Sequence, residues 1–99
     1  MRISIKVHKR GAELLVAACD SDLLGKTFKE GKMRLHVSKD FYDGDQVDED
    51  ILANRLEMAT VANLVSETTV EVAIRHGFVD PGCVIRIDGV PHAQMARMI

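Results

Sequence analysis

Aromatic residues are scarce, with three Phe, one Tyr and no Trp in 99 residues. That is too few rings for the usual RNA-binding platform, in which several bases stack on one face. Cysteine is nearly as rare. Cys19 and Cys83 are isolated and form no C-x-x-C pair, so neither a disulfide framework nor a cysteine-based zinc site is expected. Both lie in or beside apolar stretches and are predicted to be reduced, buried thiols. The four histidines, His8, His36, His76 and His92, are far apart in sequence, so no single rigid element offers two ligands, and no metal or cofactor is expected. No apolar run approaches the roughly 20 residues needed to span a bilayer. The N-terminal residues alternate rather than form a signal peptide, which predicts a cytoplasmic protein without a membrane partner. Nucleophile-elbow and dinucleotide motifs are missing, and "KEGKMR" lacks the glycine spacing and helix context of a phosphate-binding loop.

What is present describes one soluble domain over residues 1–99, with 46% hydrophobic and 28% charged residues. The net charge of -2 hides an asymmetry. Residues 1–40 carry nine Lys/Arg against five Asp/Glu, whereas residues 41–99 carry four against ten. Such a split suits either a basic binding face or two elements whose charges complement each other after folding.

Periodicity predicts the elements. Met1, Ile3, Ile5 and Val7 alternate with Arg2, Ser4, Lys6 and His8 as in a half-buried strand. Past the Gly11 turn, "ELLVAACD" reads as its hairpin partner and as a central strand. "SDLLGKTFKEGK" reads as a connection with one short helical turn, and "MRLHVS" as a third strand. From Asp48, the positions Ile51, Leu52, Leu56, Ala59, Val61, Ala62 and Val65 recur at steps of mostly three and four, which predicts an amphipathic helix. A second helix is predicted from near Ser66–Thr69, with Thr68 and Glu71 at capping-box spacing, to Gly77. "CVIRID" and "VPHAQMARM" form a terminal hairpin about Asp88-Gly89, with Pro91 pushing the return strand toward the sheet edge. The expected fold is α+β, a mainly antiparallel sheet of four or five strands with two adjacent helices packed on one face.

Taken in order, "ISIKVH", "LLVAACDSDLLGKTFKEG", "LHVSKDFYDG", "ATVANLVSE" and "IDGVPHAQ" resemble the archaeal family catalogued as domain of unknown function 424. The resemblance spans the whole chain and is carried by the ordered set "LLGKTF", "FYDG", "ANLV" and "GVPHAQ". It implies no activity, cofactor or catalytic residue. The family pattern has glycine where Ser66 stands, a departure that argues against a strict need for a left-handed residue there.

Three functional readings follow. The favoured one is a noncatalytic binding module that meets RNA or the ribosome through Arg2, Lys6, Lys26, Lys29 and Arg34. In it Arg2, Lys6, His8, Arg34 and His36 share one sheet face, and Lys26, Lys29 and Lys32 cluster around Phe28. Ordinary solvation of a charged face is the competing account of the same cations. The second reading is a small-molecule enzyme with His92 as general acid or base, Asn63, Glu67 or Asp88 orienting it, and Gln94 binding substrate. Its competitor is a His92 that merely closes the hairpin. The third is a homo-oligomer, because Ala62, Leu64, Val70, Val72 and Ile74 exceed one narrow apolar stripe.

Overall fold

The computed structural model describes residues 2–97. Met1 and Met98, assigned by the sequence pattern to the first and last strands, lie outside them. Strand β1 (Ile3–Arg10) turns at Gly11 into β2 (Glu13–Asp20), pairing Ile3 with Asp20 through Arg10 with Glu13. A 3-10 turn (Ser21–Leu23) leads into the separate hairpin β3 (Thr27–Glu30) and β4 (Met33–His36). Then come the short helix α1 (Lys39–Tyr42), β5 (Asp45–Val47), α2 (Glu49–Met58) and β6 (Val61–Val65). Helix α3 (Glu67–Arg75) precedes a second 3-10 turn (Pro81–Cys83) and the hairpin β7 (Ile85–Ile87) and β8 (Val90–Ala96). The main sheet runs β5-β1-β2-β6-β8-β7 and is antiparallel except where β2 meets β6.

The fold is therefore α+β, with more strands than expected: six in the main sheet and two in the hairpin, among the described residues. The largest correction concerns residues 59–65. Their steps of three and four suggested a continuing helix, yet α2 stops at Met58 and Val61–Val65 is a central strand. The reason is burial on both faces. Ala62 and Leu64 enter one hydrophobic cluster and Val65 the other, so alternation vanishes and spacing no longer distinguishes strand from helix. β2 behaves alike, with Val16 and Ala18 on one side and Ala17 and Cys19 on the other.

The larger cluster joins Ile3, Ile5, Val16, Ala18, Ala62 and Leu64 of the sheet to Leu52 and Leu56 of α2 and to Val70, Val72 and Ala73 of α3. Burial of Ala62, Leu64, Val70 and Val72, with Ile74 packed against them, absorbs the apolar surplus that suggested an oligomer. On the opposite face, Leu35, Val37 and Tyr42 join Ala17, Cys19, Val65 and Ile87. This burial raises the Cys19 thiol to about 12, helped by the nearby Asp20, Asp22 and Asp43 charges, so that it stays protonated. Cys83 is exposed, contrary to expectation, because it ends a surface turn rather than entering β7.

Pro91 is not at an edge, since β8 lies between β6 and β7. It is tolerated where the β6–β8 ladder ends. The Pro91 carbonyl accepts the Ser66 N–H at 2.8 Å, and the Ser66 carbonyl accepts the Val70 N–H at 3.0 Å. The donor that proline lacks would have faced a carbonyl already bonded within α3. Asp88 and Gly89, at φ 53° and 78°, form the expected two-residue turn of paired left-handed residues. Gly44 packs so closely that an added Cβ would lie 2.3 Å from the Ile5 carbonyl oxygen.

Candidate functional site

Lys29 and Arg34 are brought together by the β3–β4 hairpin, with Lys26 just before β3 and Lys32 in the turn between the strands. Gly31, at φ 60°, takes the first turn position between Glu30 and Met33, which suits the tight loop. Strand alternation then sorts the side chains. Phe28 and Leu35, directly paired, face the sheet and belong to the smaller cluster, so Phe28 is not part of a surface patch. Thr27, Lys29, Arg34 and His36 take the outer face, where Thr27 Oγ1 and His36 Nδ1 are 2.7 Å apart.

Lys29 lies directly opposite Arg34. Like charges at such a position repel. The single carboxylate within residues 26–36, Glu30, is turned away and accepts the Asp88 N–H at 2.7 Å, tying the hairpin to the β7–β8 turn. Among the described residues no ion pair involves Lys26, Lys29, Lys32 or Arg34. By contrast, Arg75, Arg86 and Arg97 in the acidic half pair with Glu49 and Glu71, with Glu67 and with Glu57.

The other two predicted cations lie elsewhere. Lys6 donates to the Asp40 carbonyl at 2.7 Å, so its ammonium helps hold α1. Arg2 is exposed just before β1 and accepts the Ser21 N–H through its carbonyl. The single basic face of Arg2, Lys6, His8, Arg34 and His36 therefore does not form. Residues 33–36 pair with residues 27–30 rather than joining the main sheet. His8 is also committed, with Nε2 2.9 Å from the Phe41 carbonyl oxygen and its ring stacked on Phe41 at 4.8 Å between centroids.

His92 and Asn63 occupy one sheet face through the β6–β8 register, which pairs Val65 with His92 and Asn63 with Gln94. Gln94 Nε2 donates to Asn63 Oδ1 at 2.9 Å. His92 is half-buried beside a shallow depression of about 330 Å³ lined also by Cys83, Ile85, Ala93 and Gln94. Burial lowers its pKa, which favours the neutral imidazole. No carboxylate lines the depression: Asp88 is at the turn and Glu67 pairs with Arg86. The third orienting candidate, Asn63, is bonded instead to Gln94.

One residue outside the predicted sites, Asp20, organises the C-terminal ends of β2 and β6. Asp20, 3% exposed, accepts the Thr68 N–H at 3.1 Å, the Thr69 N–H at 2.9 Å and the Thr69 hydroxyl at 2.7 Å. Its carboxylate thus fills the N-terminus of α3, a position that would otherwise attract an external anion. The capping box expected at Thr68 and Glu71 does not form, because Ser66 is the N-cap and Thr68 is already helical. No local spacing signals Asp20, whose partners lie 48 and 49 residues away.

Comparison with known proteins places these observations in a family. No curated protein matches the chain. The crystal structure of an uncharacterized conserved protein from Methanopyrus kandleri is similar, with a TM-score of 0.83 and 27% identity over 100% of this chain and 96% of that one. Residues 8–98 match the sequence pattern of the family described as "Protein of unknown function (DUF424)", and the chain belongs to that family.

Proposed function

We propose that the protein is a noncatalytic binding module that holds an RNA backbone against the outer face of the β3–β4 hairpin. One observation carries this reading: Lys29 is opposed to Arg34, with Lys26 and Lys32 nearby in sequence and the only local carboxylate withdrawn into the Asp88 contact. A repulsive pair retained on an exposed hairpin draws its counter-charge from outside the chain. Phosphates supply that charge and release counterions, which makes the affinity fall with salt. The small number of cations predicts modest affinity and little sequence preference from this surface alone.

The test compares wild type with a Lys29→Glu/Arg34→Glu double variant in binding a fluorescent single-stranded RNA at two salt concentrations. The variant is expected to bind at least about tenfold more weakly, with a shallower salt dependence, since each lost phosphate contact removes roughly 0.7 from the slope. Equal affinity and equal slope would refute the proposal.

A further inference from the structure

The sheet face carrying Asn63 is only partly covered. The β3–β4 hairpin and α1 enclose Ala17, Cys19 and Val65, but beyond them the register lines up half-buried and exposed positions on either side of the buried Ala17. Lys6 pairs with Ala17, Ala17 with Asn63, and Asn63 with Gln94, while in the adjoining row His8 pairs with Leu15 and Leu15 with Val61. A depression of about 350 Å³, lined by His8, Arg10, Glu13, Leu15 and Phe41, lies at the β1–β2 end. The depression beside His92 lies at the β7–β8 end. Glu13 is the one carboxylate lining either of them.

Between these hollows sits the Asn63–Gln94 amide pair. Its mutual bond uses one N–H and one oxygen, and either amide orientation leaves a free NH2 group and a free carbonyl oxygen. Among the described residues no other side-chain hydrogen bond engages them. A free carbonyl acceptor is unfavourable toward phosphate, which has no proton to give, but it suits the amino or imino edge of a nucleobase. The neighbouring NH2 suits the ring nitrogen or carbonyl of the same edge. Such a site reads a base by its edge and so escapes the shortage of aromatic side chains.

We infer that this open face receives an unpaired nucleobase of single-stranded RNA, with Asn63 and Gln94 hydrogen-bonding its edge. This rests on the hairpin holding the backbone. The experiment measures binding of a short oligoadenylate and of an abasic oligonucleotide of the same length to wild type, Asn63→Ala and Gln94→Ala. Each alanine variant is expected to weaken oligoadenylate binding about tenfold while leaving abasic binding and the salt slope unchanged. In wild type, the Asn63 and Gln94 side-chain amide NMR signals should shift with oligoadenylate and not with the abasic strand. That readout does not depend on the variants folding. Equal wild-type affinity for the two strands, or unmoved amide signals, would overturn the base site and leave the hairpin reading standing. Failure of wild type to bind either strand would overturn both.

Discussion

Ser66 offers a sharp test of the structural reasoning. It connects β6 to α3 at φ 83° and ψ 170°, a region open to glycine and strained for any residue with a Cβ, and it is only 3% exposed. It cannot relax. Its N–H is held by Pro91 and its carbonyl by Val70, while its Oγ accepts the Asp20 N–H at 3.0 Å. Ser66→Ala keeps the strain and removes that acceptor, costing about 1–3 kcal/mol for the orphaned buried donor. Ser66→Gly removes the same acceptor but relieves about 1–3 kcal/mol of strain, against about 0.5–1 kcal/mol of added chain entropy in the unfolded state. Glycine should therefore be more stable than alanine by about 1 kcal/mol, the reverse of their order inside regular elements. For a domain of this size that corresponds to a melting temperature higher by about 4–8 °C. Thermal unfolding of the two variants followed by circular dichroism checks the order. An alanine variant as stable as the glycine variant would show that the turn is not strained.

Asp20→Ala removes the carboxylate that accepts from three donors at the start of α3, two of them on the buried Thr69, and is expected to cost about 3 kcal/mol in urea unfolding. A loss below about 1 kcal/mol would mean that water replaces the carboxylate. His92 gives a pH dependence. Its folded pKa is lowered by burial, so the folded state binds fewer protons than the unfolded chain below the ordinary value of 6.5. Stability is thus full above that value and declines as pH falls below 6.5 toward the lowered folded-state pKa. His92→Gln should flatten this decline in melting temperature, and an unchanged pH slope would remove His92 as its source.

Legibility in the sequence tracked how local each determinant is. The β1–β2 hairpin followed from alternation around Gly11, and the terminal hairpin from Asp88-Gly89. The start of α2 was visible in Asp48, whose Oδ1 accepts the Ile51 N–H at 2.9 Å as an N-cap. β6 was misread because a strand buried on both faces loses its period. β3 and β5 were missed because "TFKE" and "DQV" are short and largely polar, and they become strands only by pairing with distant or following segments. Of the predicted cations, Arg34 was assigned to the polar phase of a strand and Lys29 to a connecting loop, and their opposition depends on a register that their own composition does not announce. Ser66 was misjudged for a related reason. A residue's φ is imposed by the groups that hold its two peptide units, here Pro91 and Val70, and side-chain identity only sets the cost.

The sequence by itself determined the α+β class, the two tight hairpin turns, the ends of α2 and α3 marked by Asp48 and Gly77, and the concentration of cations in the first 40 residues. These rest on interactions between residues a few positions apart. Tertiary structure alone decided that β2 and β6 run parallel at the centre, that the β3–β4 hairpin closes the second face, and that Asp20 caps a helix nearly 50 residues away. It also set Lys29 against Arg34 with Glu30 withdrawn, and Gln94 against Asn63. Those outcomes depend on which surfaces remain to be buried once the local elements exist, and that competition is settled only when the whole chain packs.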